Sequence, residues 1–246
     1  VCAAVQHAHQ KGIIHRDLKP GNVLVTMMED RPLPKVIDFG IAKATHQDLT
    51  EKTLFTQHGN FVGTPTYMSP EQASMTGFDI DTRSDIYSLG VLLYELLAGA
   101  PPFDHKSLLS AGYNEMRRII AEDEPPKPST RCTETRIQSK TATGSKPMKF
   151  HLNPSSLKGE LDWVVMKAIE KDRTRRYETP NAFAADVERY LKDEPVQAAA
   201  PSSAYKFRKF ALRNKTAIGV VAGFVLMLVI AVGVSSSQAV RAIHAG

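Results

Sequence analysis

His15-Arg16-Asp17-Leu18-Lys19-Pro20-Gly21-Asn22, with Asp38-Phe39-Gly40 beginning sixteen residues after the asparagine, is the stretch on which the reading of this chain turns. Between the two clusters, residues 22–25 (NVLV) and 35–38 (KVID) are strand-like, β-branched runs. They are joined by the turn-rich segment TMMEDRPLP, which contains Pro32 and Pro34. Pairing the runs as an antiparallel hairpin sets the start of the first beside the end of the second. Asn22 and Asp38 then meet on one rim, with Asp17 a short turn away. Two oxygen ligands converging on one point suit a hard cation such as Mg2+, which takes few protein ligands and completes its shell with phosphate oxygens and water. Asp17 would orient and deprotonate a hydroxyl, and Lys19 would place positive charge on a transferred phosphoryl group. Positioning, a metal, a base and charge compensation are the parts that phosphoryl transfer requires.

The eight-residue loop, the Asp-Phe-Gly and their spacing resemble the catalytic and metal-binding loops of the eukaryotic-type Ser/Thr protein kinases. The wording of HRDLKPGNVLV and GTPTYMSPEQA looks most like the bacterial, Hanks-type members. Later landmarks follow in the family order. Gly63 to Glu71 resembles the end of the activation segment, with Ser69 in place of the usual alanine. Asp85 to Gly90 resembles the start of the buried central helix of the large lobe, with Tyr87 where tryptophan is commoner. Arg176 matches the arginine that pairs with the glutamate here numbered Glu71.

The resemblance covers residues 1 to about 195 and implies an α+β fold: the mainly helical large lobe of a kinase, with a small β-hairpin at the active site. It implies ATP and Mg2+ as cofactors and Ser/Thr-bearing proteins as substrates. Asp17, Lys19 and Thr64 become catalytic, the Thr64 hydroxyl bonding Asp17. Lys19, Asn22 and Asp38 become nucleotide-binding, Asn22 and Asp38 the metal ligands, and Glu71, Asp85 and Arg176 structural supports. His15 packs on Phe39 and does not transfer protons. Arg16, directly before the base, implies control by phosphorylation of the activation segment. Thr50, Thr53 and Thr56 in DLTEKTLFTQHGN are the candidate phosphosites, able to pair with Arg16 and Lys43. Activation in trans favours at least a transient homodimer.

The family's small lobe would precede Val1, and no GxGxxG occurs anywhere. The chain is therefore expected to be a fragment with the metal-and-base half of an ATP site and little activity by itself. The alternative reading is a pseudokinase or membrane-anchored scaffold that binds partners without catalysis. Its usual mark is loss of the base or a metal ligand, and Asp17, Lys19, Asn22 and Asp38 are all present.

Composition narrows the rest. A chain of 246 residues, 42% hydrophobic and 23% charged, is not collagen-like, wholly disordered or disulfide-dense. Its two cysteines, Cys2 and Cys132, form no zinc-ligand pattern. Residues 1–200 carry 25 basic and 26 acidic side chains, a net of −1, whereas residues 201–215 carry five basic and no acidic ones. That distribution argues against a nucleic-acid surface. From Thr216 to Val240 no residue is charged, and the 18 residues from Ala217 to Val234 are almost wholly apolar. As a helix they would extend about 27 Å, close to a bilayer's hydrocarbon thickness. Five basic residues before this span and only Arg241 after it place the N-terminal region in the cytoplasm. The expected organisation is a kinase large lobe over 1–195, a basic juxtamembrane linker over 196–215 facing anionic headgroups, a transmembrane helix over 216–235, and the start of an extracytoplasmic region over 236–246. The expected location is a bacterial inner membrane, crossed once.

Local patterns add helices. Val1, Ala4, Val5 and Ala8 share a face of a helix that stops at Gly12. Residues 84–98 are apolar enough for burial on most faces. Thr179-Pro180 opens a last helix whose inner face is Phe183, Val187, Tyr190 and Leu191. Residues 133–158, rich in Ser, Thr and Lys, read as an inserted loop before a helix starting near Glu160.

Overall fold

A computed structural model of the chain describes residues 1–39, 64–74, 80–141, 154–199, 202–214 and short stretches between 219 and 233. The chain forms two units, one of Val1–Tyr190 with Val196–Ala199, the other of Leu191–Pro195 with Ala200–Gly246. The first unit begins with α1 (Cys2–Gln10), then an antiparallel hairpin of β1 (Val23–Met28) and β2 (Arg31–Val36). Helices α2 (Pro70–Ala73), α3 (Arg83–Ala98), α4 (His105–Ser110), α5 (Tyr113–Glu122), α6 (Pro128–Thr141), α7 (Pro154–Leu157), α8 (Glu160–Ala168) and α9 (Pro180–Leu191) follow. The second unit contains α10 (Ser203–Arg213).

Helix α3 is the axis of the first unit. Ile86, Val91 and Tyr94 are fully buried, and Tyr87 nearly so. Each large apolar side chain so buried contributes about 1.5–3 kcal/mol. One core joins α3 to α7 and α8 through Tyr94, Leu157, Leu161 and Val165. A second joins it to α1 and α9 through Val5, Leu89, Val164 and Phe183. A Cβ on Gly90 would lie 2.7 Å from both Ala168 Cβ and Ile169 Cγ2, so glycine is what lets α3 and the end of α8 approach this closely. Gly99, at φ 75°, ends α3 in the left-handed region that suits glycine.

The helices depart from their sequence patterns in instructive places. On α1 the buried residues are Val5 and Ala8, while Ala4 is exposed; His9, not an apolar residue, completes the inner face. Phe183 is buried in α9 as expected, but Leu191 is 73% exposed. Asp186 takes an inner position instead, accepting hydrogen bonds from the Tyr177 hydroxyl (2.9 Å), Arg189 Nη1 (2.8 Å) and the backbone N–H groups of Gln197 (2.6 Å) and Ala198 (2.8 Å). The inserted loop expected over 133–158 is helical at both ends. Residues 133–141 continue α6, held by the buried Cys132 and by Thr133 and Thr135 hydroxyls donating to carbonyls one turn back. Its middle, 142–153, lies outside the described residues.

The hairpin is longer and its turn tighter than the sequence suggests. β1 pairs with β2 from Val23↔Val36 to Met28↔Arg31, leaving only Glu29 and Asp30, at φ 49° and 62°, as the turn. Two consecutive residues of positive φ match the turn that suits strand twist. Ile37 N–H donates to Asn22 O (3.0 Å), which makes that couple a hydrogen-bonded pair. Counting inward, pairs alternate, and Pro34 and Pro32 both fall where an N–H would point away from the partner strand. The prolines therefore cost the ladder nothing.

Among the described residues no helix is long and apolar enough to cross a membrane. The span expected over 216–235 lies partly outside them. Its described residues are helical, with Val220, Phe224, Met227 and Ile230 exposed. The region expected over 236–246 lies outside them altogether.

Candidate active site

Asp85, in the first turn of α3 and fully buried, organises the loop that carries the first motif. Its Oδ2 accepts the His15 N–H and its Oδ1 the Arg16 N–H, each at 2.8 Å. The His9 ring donates from Nε2 to Oδ2 at 2.7 Å, since a carboxylate can only accept. Three donors thus satisfy a carboxylate that would otherwise be costly to bury. The loop it holds is strained, because Arg16 has φ 63°. A non-glycine residue there costs about 1–3 kcal/mol and persists only where neighbours over-determine it. Asp38 is a second such residue, at φ 55°.

His15 joins the two motifs. It is fully buried, donates from Nε2 to Ile37 O (3.0 Å), and stacks at a tilt on Phe39, ring centroids 4.7 Å apart. Its Nδ1 accepts the Asp17 N–H at 3.4 Å. Asp17 is thus bonded to the side chain that touches the second motif.

Asp17, Lys19 and Asn22 form a connected group. Lys19 Nζ donates to Asp17 Oδ2 at 2.8 Å. Asn22 Nδ2 donates to Asp17 O at 2.8 Å and to Oδ2 at 3.2 Å. The Asp17 and Lys19 side chains are each about a quarter exposed, accessible to a ligand yet fixed. Asp38 follows directly on Ile37, which is bonded to Asn22 across the hairpin, and is exposed on the same rim. The donor set fits a hard divalent cation. Asn22 spends its amide nitrogen on Asp17, which leaves its oxygen for a cation, and Asp38 would add a carboxylate.

Thr64 is half-buried and precedes a single helical turn, Pro65–Tyr67, that is buried and tied to α3 by Ser88 Oγ donating to Tyr67 O (2.8 Å). The Tyr67 hydroxyl donates to Glu95, and burial together with that carboxylate pushes its ionisation far above the ordinary range. Thr50, Thr53 and Thr56, and with them Lys43, lie outside the described residues.

Helix α2 secures the far end of this segment. Glu71 receives Arg176 Nη1 (2.7 Å) and Nη2 (2.8 Å) and the Ser84 hydroxyl (2.6 Å). Arg176 is buried, spends its remaining donors on the carbonyls of Glu170, Arg83 and Lys171, and lies 5.1 Å from the Tyr87 ring centroid. Tyr87 thus supplies the aromatic face beneath the guanidinium. Burial alone would raise the Glu71 carboxyl, but the guanidinium and the serine outweigh it and hold it below its usual range.

Sequence reasoning missed two participants. His9 carries no signal in the sequence, because its partner is 76 positions away. Gln72 had a signal, Ser69-Pro70-Glu71-Gln72, the pattern of a capping box. Ser69 Oγ accepts the Gln72 N–H (3.4 Å) and Gln72 Oε1 accepts the Ser69 N–H (3.0 Å), which accounts for a serine where alanine is commoner. Gln72 Nε2 then reaches Arg16 O at 2.8 Å.

The sequence pattern of the protein kinase domain family matches residues 1–186. Serine/threonine-protein kinase PknB of Mycobacterium leprae is 36% identical over 197 residues, covering 80% of this chain and 26% of that protein. The probable serine/threonine-protein kinase SCO3848 of Streptomyces coelicolor is 36% identical over 204 residues, 83% of this chain and 25% of its own length. The chain thus spans about a quarter of the length of these curated relatives. Among solved structures, the PknI kinase domain of Mycobacterium tuberculosis is 26% identical with a TM-score of 0.46, covering 78% of this chain and 52% of that one.

Proposed function

Because the chain belongs to the protein kinase domain family, we propose that the full-length protein transfers a phosphoryl group from ATP to Ser/Thr hydroxyls of protein substrates. The observation that carries this reading is the bonded group of Asp17, Lys19 and Asn22 beside Asp38 on the hairpin rim. Asp17 orients the acceptor hydroxyl and takes its proton, with the Thr64 hydroxyl bonding the carboxylate in the engaged state. Lys19 compensates charge on the transferred group. Asn22 and Asp38 would hold Mg2+, which when bound would neutralise charge on the phosphates. The bonded groups are fixed before substrate arrives.

The test is Asp17→Asn in the full-length protein. Phosphorylation of a generic protein substrate should fall by at least a hundredfold, while Mg-ATP affinity and the unfolding midpoint stay unchanged. Wild-type turnover would sink the assignment of Asp17.

Control is proposed to rest on Arg16 and one or more of Thr50, Thr53 and Thr56. A phosphate there adds about −1.5 to −2 charges and three strong acceptors for the guanidinium. Mass spectrometry of active full-length protein should find phosphate between Asp48 and Gly59; none, or full activity in the triple Thr→Ala variant, would remove this switch. Transfer between two transiently associated copies is the route we propose for its installation. A single-pass anchor in a bacterial inner membrane, with the kinase cytoplasmic and the basic linker on anionic headgroups, is supported by the uncharged run from Thr216 to Val240 and the basic residues before it.

A further inference from the structure

We infer that Gln72 is a positioning residue for the base Asp17, acting through the Arg16 peptide. The inference rests on the function proposed above for Asp17. Arg16 is held at φ 63° from both sides: Asp85 Oδ1 accepts its N–H at 2.8 Å, and Gln72 Nε2 donates to its carbonyl at 2.8 Å. That carbonyl belongs to the peptide unit whose nitrogen is Asp17 N, so the bond from Gln72 fixes the plane from which the catalytic residue departs. The Asp85 bond fixes the preceding peptide, while the Arg16–Asp17 peptide is held on its carbonyl by Gln72 Nε2 and on its nitrogen by the longer bond from Asp17 N–H to His15 Nδ1, at 3.4 Å. A strained residue relaxes unless its neighbours over-determine it, and Gln72 is one of those neighbours.

Gln72 is itself presented rigidly. Its Oε1 is engaged by Ser69 N–H (3.0 Å) and Ser69 Oγ (3.2 Å), so the amide cannot flip without losing the cap. Glu71, one residue earlier, is clamped by Arg176 and Ser84. One residue later, Arg117 of α5 donates to Ala73 O (2.7 Å) and Ser74 O (2.9 Å), closing the C-terminal end of α2. The end of the activation segment therefore touches the catalytic loop through a glutamine anchored at its base and on both flanks. The consequence is that turnover, more than ATP binding, depends on this side chain.

The discriminating substitution is Gln72→Glu in the full-length protein. It keeps the oxygen that serves the Ser69 cap and replaces the donor to Arg16 O with an acceptor. We expect kcat to fall about ten- to a hundredfold, as small misplacements of a reacting group do, with KM for Mg-ATP within twofold and an unchanged unfolding midpoint. Ser69→Ala, which removes the hydroxyl and spares the Arg16 bond, should stay within threefold of wild-type kcat. In an Asp17→Asn background, Gln72→Glu should cause no further loss, because residues acting as a unit are not additive. If Gln72→Glu lowers the unfolding midpoint, Gln72→Met at a temperature where both proteins are folded replaces it under the same criterion. Wild-type kcat in a folded Gln72 variant, an equal loss in Ser69→Ala, or an additive loss in the Asp17→Asn background would each overturn the inference. Retained activity in Asp17→Asn alone would instead overturn the reading of the base, which separates the two failures.

Discussion

The Glu71–Arg176 pair shows how one residue's chemistry is felt through the fold. Both groups are largely withdrawn from water, and every donor of the guanidinium is used. Arg176→Met would leave a carboxylate buried beside Ser84 without its cation, a change that costs about 3–5 kcal/mol. The folded-state pKa of Glu71 lies below its ordinary value, so the pair's contribution is complete above the unfolded-state pKa, about 4.3. It is lost as pH falls through the lower folded value. Denaturant midpoints between pH 7 and pH 3 should therefore drop more steeply in the wild type than in Arg176→Met; parallel curves would show that the pair does not titrate with folding. Little of this was hidden. Asp17, Asn22, Asp38, Glu71 and Arg176 were legible because each sits inside a short string of characteristic wording. His9 and Gln72 were not, because their work is done on groups 76 and 56 positions away. A solitary polar side chain carries no mark of which distant backbone it will meet.

At the scale of elements, the sequence pattern served long buried helices well and the hairpin less well. Helix α3 announces itself by apolar residues on most faces. In the hairpin, two prolines in TMMEDRPLP argue for a loop, and only the observed register shows that both fall on pairs whose N–H groups point outward. Asp186 was equally hidden: on an amphipathic helix an aspartate ordinarily reads as solvated, whereas this one binds the backbone of residues that follow the helix. The register makes a sharp prediction. Leu33→Pro removes an N–H that the alternation assigns to the ladder, opposite Thr26, and should destabilise by about 1–3 kcal/mol. Pro34→Ala should stay within about 0.5 kcal/mol. Thermal unfolding together with amide exchange at Thr26 measures both, and equal losses would mean that the pairing is assigned one residue out of phase.

For the whole molecule, the proposed anchoring makes a topological claim. Reporter fusions at Gly246 in a bacterial host should be active with a phosphatase that needs export and silent with a fluorescent protein that folds only in the cytoplasm. The opposite pattern would reverse the orientation deduced from the basic residues before Thr216. The prolines of β2 have a further bearing at this scale. Among the described residues the sheet has only these two strands, and its exposed apolar side chains, Leu24, Val25, Met27 and Met28 among them, would reward any strand that added to it. On the β2 side such an addition would need outward N–H donors at positions 32 and 34, and a pyrrolidine ring has none to give. The β2 edge therefore resists being recruited into a growing intermolecular sheet.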